Sequence, residues 1–336
     1  MSTSSTKELV VGVVFPAKKI GHLRNVLEET KDGVRFVLID LFDASLTSAA
    51  AIAAKFGHLD VLLHKLAHEM VFSRLGDDAA KKRLQVMTEY VALHPQVKVI
   101  DPIDSVQLLT DRHDACHMLV KLRETTPHDE VAFNVPPFHV VDSKESYEKL
   151  VHAVESGALP LPLICKSVEA CATDRSHMMS VVTQREDLVQ QEYPCLYQSF
   201  INHSARLFKG YVLGDLINVA ERRSLPNLSA TATRVHFNTQ ETYPTDHDFH
   251  GTASSTSAAA STSAHSQEEI FAAVREIGER IRKTLRLSLF GFDVIVSDAT
   301  NEYFVIDVNY FPSYKELDDF GSVLRRHIRK TSEGGQ

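Results

Sequence analysis

The sequence predicts an α/β (α+β) protein that combines a parallel α/β layer with an antiparallel sheet. Three observations predict this class: alternating strand-like and helix-like segments in the first hundred residues, short apolar segments with short connections in the middle, and a long amphipathic helix followed by a hairpin near the C-terminus. At 336 residues, with 43% hydrophobic and 24% charged residues, the chain is long enough for two or three domains with buried cores.

The N-terminal segments indicate a parallel sheet because helical stretches separate successive strands. Apolar, β-branched runs predict strands, and amphipathic patterns predict the helices between them. The predicted strands are 9–15, 34–40, 59–65 and 97–101, and the clearest helices are 20–30 and 79–94. No GxGxxG follows the first strand, so the sequence gives no support for a dinucleotide site.

The middle of the chain predicts a mainly antiparallel sheet, because its strand-like segments follow one another with short connections. These segments are 161–167, 178–183, 195–201, 206–214 and 216–224. The low-complexity stretch 252–266 predicts a disordered surface loop. A helix should follow it, because Ser266 and Glu269 have the spacing of a capping box. Its apolar stripe consists of Ile270, Val274, Ile277, Ile281 and Leu285.

The chemistry is concentrated in the hairpin "FGFDVIVSDATNEYFVIDVNYFP" (290–312). Folded about Thr300, it places Asp293 directly opposite Asp307, with Asn309 on the same face. Opposed like charges destabilise a strand pair, and the strands are apolar enough for both faces to be covered. A buried carboxylate pair needs a cation. Two carboxylates and an amide suit Mg²⁺, which completes its shell with water and nucleotide phosphates, although a structural ion pair is the alternative.

Cations at strand ends are the natural partners of a nucleotide. Lys166 ends a strand that should be buried, so it requires an anionic partner; Lys209 and the pair Arg222–Arg223 lie farther along. Lys19 and Lys65 follow strands of the parallel layer and should share the rim where such sheets bind ligands. The chain contains neither a P-loop GxxxxGK[ST] nor the HRD and DFG motifs of protein kinases.

Several function classes are disfavoured. The net charge of −8 argues against nucleic-acid binding, and no apolar run approaches a membrane span. The four cysteines form no CxxC pair and suit reduced thiols in a cytoplasmic protein. His64 and His68 have helical i, i+4 spacing, but without HExxH a surface or packing role is favoured over zinc. We expect a cytoplasmic monomer that binds small molecules.

The string "LFGFDVIV…FVIDVNYFPSY" resembles the C-terminal metal site of the ATP-grasp inositol phosphate kinases, the inositol-tetrakisphosphate 1-kinase or inositol 1,3,4-trisphosphate 5/6-kinase family. Segments in the same order across nearly the whole chain carry the same resemblance: "AKKI" (17–20), "LDVLLHKL" (59–66), "DPIDSVQLLTDR" (101–112), "PLICKS" (162–167), "SHMM" (176–179), "YQSFINHSARLFKGYVLG" (197–214) and "ERRSLPNLS" (221–229).

The resemblance implies a domain plan and an activity. The plan is a Rossmann-like α/β domain at 1–105 that binds inositol phosphate, then an ATP-grasp region at 106–331. That region comprises an antiparallel lid at about 120–210 and a metal-binding part at about 211–331, with 240–266 as a disordered loop. The implied activity is transfer of phosphate from ATP to a hydroxyl of an inositol polyphosphate, with one or two Mg²⁺ ions.

The resemblance also implies residue roles. Asp293, Asp307 and Asn309 would bind Mg²⁺. The ATP contacts would be Arg112, Lys166, Gln198, Ser199, Phe200, Ile201, Lys209 and Ser224. The inositol phosphate would contact Lys19, Lys65, His177, Lys209, Asn309 and Ser313. No general base is identified, although Asp293 is conceivable.

Two positions depart from the family pattern, and two other functions stay open. Ala172 stands where the family has a glycine before "SH", in a loop with one extra residue, and Ser313 replaces a backbone-permissive glycine. An ATP-grasp carboxylate–amine ligase would use the same ATP and metal residues. A non-catalytic module that senses inositol phosphate or nucleotide is the second alternative.

Overall fold

The computed structural model describes residues 7–127, 130–229, 231–250 and 264–334. Within them the strands are β1 Leu9–Val14, β2 Val34–Leu38, β3 Val61–His64, β4 Lys98–Ile100, β5 Phe138–Val141, β6 Leu163–Ser167, β7 Met178–Val182, β8 Cys195–Ser199, β9 Arg206–Leu213, β10 Leu216–Arg223, β11 Val235–Asn238, β12 Leu289–Val296 and β13 Tyr303–Tyr310. The helices are α1 Ala17–Leu27, α2 Ala49–Phe56, α3 Ala67–Arg74, α4 Asp78–Leu93, α5 Ile103–Leu108, α6 Arg112–Glu124, α7 Lys144–Glu155, α8 Asp246–His250, α9 Gln267–Leu285 and α10 Phe320–Ser332.

The N-terminal layer is a parallel sheet in the order β2-β1-β3-β4, as the alternating pattern predicts. Its central strands β1 and β3 are nearly continuous apolar runs, which is typical of parallel strands covered on both faces. His64 ends β3 whereas His68 lies in α3. The i, i+4 spacing of these two histidines therefore does not reflect one helix, because the chain changes from strand to helix between them. His64 is fully buried, in agreement with the packing role favoured over zinc.

The five central segments are all strands, but they belong to two sheets rather than one. β6, β7 and β8 lie in a sheet of order β11-β7-β6-β8-β5, whereas β9 and β10 join the hairpin strands in the order β10-β9-β12-β13. The change of sheet occurs between β8 and β9, where Ser204 and Ala205 have φ values of 53° and 57°. Two successive residues in the left-handed region end an extended strand, so the chain turns there into the second sheet.

Helix α9 covers one face of the second sheet. Its capping box is present: Ser266 Oγ accepts from Glu269 N, and the Glu269 carboxylate accepts from Ser266 N at 2.7 Å. All five residues of the predicted stripe are buried. The buried Phe292 ring fills the space between sheet and helix, because a Cβ added at Gly210 or Gly278 would lie 2.2 Å or 2.6 Å from ring atoms.

The hairpin has the predicted pairing of Asp293 with Asp307, but not the predicted regularity. From Phe290 to Asp293 the paired residue numbers sum to 600, whereas Val294 pairs with Val305 and the sum falls to 599. Ile306 is the additional residue of a β-bulge. The sequence pattern missed this bulge because Ile306 is itself apolar and continues the apolar run that precedes Asp307.

The open end of the hairpin, where β12 begins and β13 ends, holds the parallel layer against the second sheet. Lys19 Nζ donates to Pro312 O at 2.6 Å, and Lys65 Nζ donates to Phe311 O at 2.9 Å. The buried Asp101 carboxylate accepts from Leu289 N at 3.0 Å, and Tyr310 Oη donates to His64 O at 3.0 Å. These four contacts fix the rim of the N-terminal layer beside the hairpin.

The segment 240–266 is predicted to be a disordered loop. Its residues 251–263 lie outside the described residues, and helix α8 lies within the described part of the segment. Among the described residues no helix combines the length and the apolar character that crossing a bilayer requires. The four cysteines are present as thiols.

Candidate active site

Three charged side chains form a row across three neighbouring strands. Lys209 on β9 pairs with Asp293 on β12, which pairs in turn with Asp307 on β13. Lys209 Nζ lies 2.7 Å from Asp293 Oδ1, and Asn309 Nδ2 donates to Asp307 Oδ2 at 2.7 Å. The predicted triad is thus assembled on one face, and a lysine already offsets part of its negative charge.

The two aspartates differ in their electrostatic environments. Burial raises the pKa of Asp293, although Lys209 offsets part of this effect. Burial would also raise the pKa of Asp307, but Arg112 and Lys166 outweigh it, so this pKa is lowered. Burial would lower the pKa of Lys209, but the adjacent Asp293 carboxylate raises it overall. Asp307 is therefore the more firmly ionised carboxylate.

Lys166 is buried, and no carboxylate of the described residues is in hydrogen-bond contact with it. Its Nζ donates to Gln198 Oε1 at 3.0 Å and to the carbonyl oxygen of the bulged Ile306 at 3.3 Å. Burial lowers the pKa of Lys166, with Asp307 acting in the opposite direction. The predicted anionic partner is thus Asp307, which acts on Lys166 electrostatically without a hydrogen bond. The ammonium group is placed to bind an anionic group of a ligand.

The guanidinium of Arg112 is held by backbone carbonyls. It donates to Ser167 O at 2.9 Å, to Glu169 O at 2.7 Å and to Ser176 O at 3.0 Å. Its Nε–H has no partner among the described residues. Arg112 therefore anchors the loop between β6 and β7 to the start of α6, and supplies positive charge beside Asp307.

A cavity of about 710 Å³ lies over this face. It is lined by predicted ATP contacts from the strand end at Gln198 through Ile201, together with Arg112, Lys166, Lys209 and Ser224. Apolar walls come from both sheets, namely Ile164, Leu207, Ile295 and Ile306. Ser224 Oγ contacts His203 Nε2 at 2.9 Å, which ties the end of β10 to the turn between the sheets.

A second cavity, of about 390 Å³, adjoins the first and is lined by basic side chains of the N-terminal layer. Five of the six predicted inositol phosphate contacts line it, namely Lys19, Lys65, His177, Asn309 and Ser313, whereas the sixth, Lys209, lines the first cavity and not this one. Burial, with a smaller contribution from Lys65, lowers the pKa of Lys19 to about 6. Lys19 Nζ also lies 3.8 Å from the centroid of the Phe311 ring.

His177 stands at the boundary, because it lines both cavities. Gln240 Nε2 donates to His177 Nε2 at 2.9 Å, and Thr239 N donates to His177 O at 2.9 Å. Burial, together with Lys18 and Arg112, lowers the pKa of His177.

The two departures from the family pattern have opposite structural consequences. Ala172 has φ of 76°, in the left-handed region that favours glycine. Ser313 lacks a positive φ, whereas Phe311 and Tyr314 on either side have φ of 44° and 52°. Glycine would therefore relieve strain at position 172, while the backbone at 313 does not require it.

Sequence reasoning missed several lining residues. Lys18, His22 and Gln240 line both cavities, and His68 lines the second. Burial and the neighbouring Lys65 lower the pKa of His68 to about 4. Lys18 and His22 follow one another by one helical turn on α1, and this spacing could have revealed them. Gln240 carried no signal, since it lies in an irregular segment.

The donor set fits a hard divalent cation. Asp293, Asp307 and Asn309 offer carboxylate and amide oxygens on one face of a cavity large enough for a nucleotide. The described residues contain no group of three or more His, Cys, Asp or Glu that could hold a metal. The protein would therefore supply only part of a coordination shell, which is how Mg²⁺ binds beside phosphates.

Comparison with known proteins gives a family. Residues 127–330 match the "inositol 1,3,4-trisphosphate 5/6-kinase ATP-grasp domain", and residues 10–106 match the pre-ATP-grasp domain of the same family. The chain belongs to the inositol 1,3,4-trisphosphate 5/6-kinase family.

Relatives in this kinase family span most of the chain. Inositol-tetrakisphosphate 1-kinase of Xenopus laevis is 32% identical over 280 residues, covering 81% of this chain and 67% of that protein. The Danio rerio protein of that name is 28% identical over 307 residues, covering 90% and 73%. The resemblance identified from the hairpin and its accompanying segments is confirmed.

Solved structures share the ATP-grasp fold. The ADP complex of N5-carboxyaminoimidazole ribonucleotide synthetase superposes with a TM-score of 0.60 at 11% identity, covering 99% of this chain and 79% of the other. A RimK-domain ATP-grasp protein from Sphaerobacter thermophilus has a TM-score of 0.55 at 15% identity, covering 97% and 100%. At such identities the likeness concerns the fold alone, and it confirms the predicted ATP-grasp class.

Proposed function

We propose that the chain is an ATP- and Mg²⁺-dependent kinase that phosphorylates a hydroxyl of an inositol polyphosphate, as the names of its relatives suggest. The observation that carries the proposal is the junction of two cavities at Asn309 and His177. One cavity has apolar walls and a carboxylate row, and the other is lined by lysines and histidines. A nucleotide and a polyanionic acceptor would meet at that junction.

The nucleotide would occupy the larger cavity. Its base would lie between the apolar side chains of the two sheets, beside the strand end at 198–201. Lys166 would direct its ammonium group at the phosphates, because its present partners are neutral and leave its charge uncompensated. Arg112 would act through its field and by holding the loop before His177 in place.

Asp293, Asp307 and Asn309 would hold the magnesium ions. When bound, Mg²⁺ supplies charge neutralisation at the β- and γ-phosphates. Asp307 is suited to be the principal ligand, because its neighbours keep it ionised. Asp293 is the better candidate for a proton acceptor, because burial raises its pKa and Lys209 holds it in position. A loose transition state makes little demand on such a base.

The acceptor would occupy the smaller cavity. Lys19, Lys65, Lys18 and His177 would contact its phosphates and determine which hydroxyl faces the γ-phosphate. Since the ring is nearly symmetric, selectivity must come from the spacing of these basic groups. The carboxylate–amine ligase alternative lacks a use for this cluster, and the family match also favours the kinase.

The remaining predictions concern the setting of the enzyme. We propose that it works in the cytoplasm as a monomer, without nucleic acid or membrane as a partner. The predicted domain boundaries, at 1–105 and 106–331, belong to the same proposal. The first family match ends at 106 and the second begins at 127, which supports this division.

An ATP-consumption screen over a panel of inositol phosphates tests the function, with the product isomers resolved by chromatography. We expect turnover with at least one inositol tris- or tetrakisphosphate, and none when the panel is replaced by amino acids. Turnover with amino acids alone would make the chain a ligase. ATP binding without turnover on any inositol phosphate would make it a sensor.

A further inference from the structure

A pair of histidines outside the active site meets on the exposed side of α6. His113 and His117 are one helical turn apart, and their Nε2 atoms lie 2.8 Å from each other. Their ring centroids are 4.4 Å apart, with planes at 67°. One Nε2–H therefore donates to the other Nε2, and both ring edges converge on one point.

The surrounding structure holds both rings in this arrangement. Phe138 of β5 packs edge-on against His113 and His117, with centroid distances of 6.2 Å and 5.3 Å. The helix start is capped as well, because Asp111 Oδ1 accepts from His113 N at 2.9 Å. An aromatic support and a capped helix turn leave little conformational entropy to be lost when both rings bind a common ligand.

The geometry is close to that of bidentate metal coordination. Zn–N bonds of about 2.0–2.1 Å place two neighbouring imidazole nitrogens about 2.9–3.4 Å apart. The observed separation would have to open by only a few tenths of an ångström after the shared proton leaves. Imidazole suits borderline transition metals rather than Mg²⁺. The Asp142 carboxylate, which follows β5, lies within electrostatic reach of His113 and adds attraction for a cation.

We propose that His113 and His117 chelate a borderline divalent transition metal, such as Ni²⁺, Cu²⁺ or Zn²⁺, through their two Nε2 atoms. Water completes the shell, since the described residues offer no group of three or more His, Cys, Asp or Glu that could hold a metal. The site is open and exchangeable, unlike a four-ligand structural zinc site. It is chemically distinct from the oxygen-lined face at Asp293 and Asp307, and it does not depend on the proposed function.

Calorimetric titration with NiCl₂, in a buffer that does not bind metals and contains saturating MgCl₂, tests the proposal. We expect one tight equivalent in the wild type and a loss of at least about tenfold in affinity in His113→Gln/His117→Gln, because a single donor cannot chelate. The matched control is His152→Gln, because His152 is exposed on α7 and the residues one turn away, Glu148 and Ser156, are not histidines. It should keep the tight equivalent.

An isotherm unchanged in the double variant would overturn the proposal, as would an equal loss in His152→Gln. Thermal unfolding gives a second readout that does not depend on kinase activity. Ni²⁺ should raise the Tm of the wild type but not that of His117→Gln alone, because a ligand that binds only the folded state stabilises it. An equal rise in both proteins would contradict the chelate.

Discussion

At the scale of single residues, Asp307 differs from its cross-strand neighbour Asp293 in the charges that surround it. Arg112 and Lys166 lower the pKa of Asp307 against the effect of burial, whereas burial dominates at Asp293. Two chemically identical side chains in register are thereby made unequal. The unequal environments support the separate roles proposed for them.

Asp307→Asn tests the proposed metal site. The substitution keeps the shape of the side chain but removes the charge that would hold Mg²⁺. Substitution of residues that hydrogen-bond to a metal ligand typically lowers activity about 10–100-fold. Loss of the ligand charge itself should therefore lower kcat/KM by at least about 100-fold. Steady-state kinetics at several Mg²⁺ concentrations measures the effect. Asp104→Asn is the control, because that exposed aspartate forms its ion pair with Arg286 at the surface. Near-normal activity of Asp307→Asn would remove the metal assignment.

Lys19 leads to a prediction about protons. Its pKa of about 6 means that it is largely neutral at pH 8 in the free protein. A bound polyanion favours the charged form, so binding of inositol phosphate should take up as much as about one proton at this residue and should weaken as pH rises from 6 to 8. Calorimetry in buffers of different ionisation enthalpy counts the protons. Lys19→Met should reduce the uptake, and equal uptake in both proteins would contradict the assignment.

The residues that sequence patterns identified are those fixed by regular strand geometry. The pairing of Asp293 with Asp307 follows from strand alternation, and the segment comparison indicated the substrate lysines. Gln240 escaped prediction because its place depends on how an irregular segment folds over His177. The neutral partners of Lys166, Gln198 and the carbonyl of Ile306, were not predicted either. The hydrophobic pattern does not show the bulge that supplies the second of them.

At the scale of elements, the second sheet and α9 fit together through two glycines. Gly210 on β9 and Gly278 on α9 leave the space that the Phe292 ring fills. The carboxylate row lies on the same three strands. Its geometry therefore depends on packing at the opposite face.

Gly210→Ala tests this packing. The new Cβ would lie 2.2 Å from the buried ring, so the protein should lose about 1–3 kcal/mol of its free energy of unfolding. Gly21→Ala is the control, because no atom of the surrounding described residues lies within 4 Å of its Cβ position on α1, and it should be neutral or stabilising. Chemical denaturation measures both. Phe292→Leu in the Gly210→Ala background should recover part of the loss, and no loss in Gly210→Ala would refute the packing argument.

At the scale of the whole molecule, the proposed acceptor cavity exists only because the parallel layer meets the end of β13. Lys19 and Lys65 come from the first domain, and the carbonyls that they contact belong to Phe311 and Pro312. The sequence predicted that these lysines share a rim. Their contacts with the C-terminal chain could not be predicted, because no local pattern specifies how two domains dock.

Lys65→Ala tests the division of labour between the domains. Loss of this ammonium group should raise KM for the inositol phosphate at least about tenfold, since one such contact contributes about 1.4 kcal/mol or more, while KM for ATP changes much less. Kinetics with each substrate varied in turn gives both constants. Lys55→Ala is the control, because Lys55 pairs with Asp43 at the surface of the first domain. A parallel rise of both KM values in Lys65→Ala would mean that the two cavities do not act separately.

The bulge in the last hairpin has a separate consequence. Without Ile306, the register of the pairs next to the turn would continue along the whole hairpin. Asp293 and Asp307 would still face each other. The additional residue is therefore unnecessary for their alignment. Its contribution is a hydrogen-bond acceptor, because the carbonyl oxygen of Ile306 accepts from Lys166 Nζ. Shortening the strand by this one residue would leave the acidic pair in place while the ammonium group lost one of its two neutral supports.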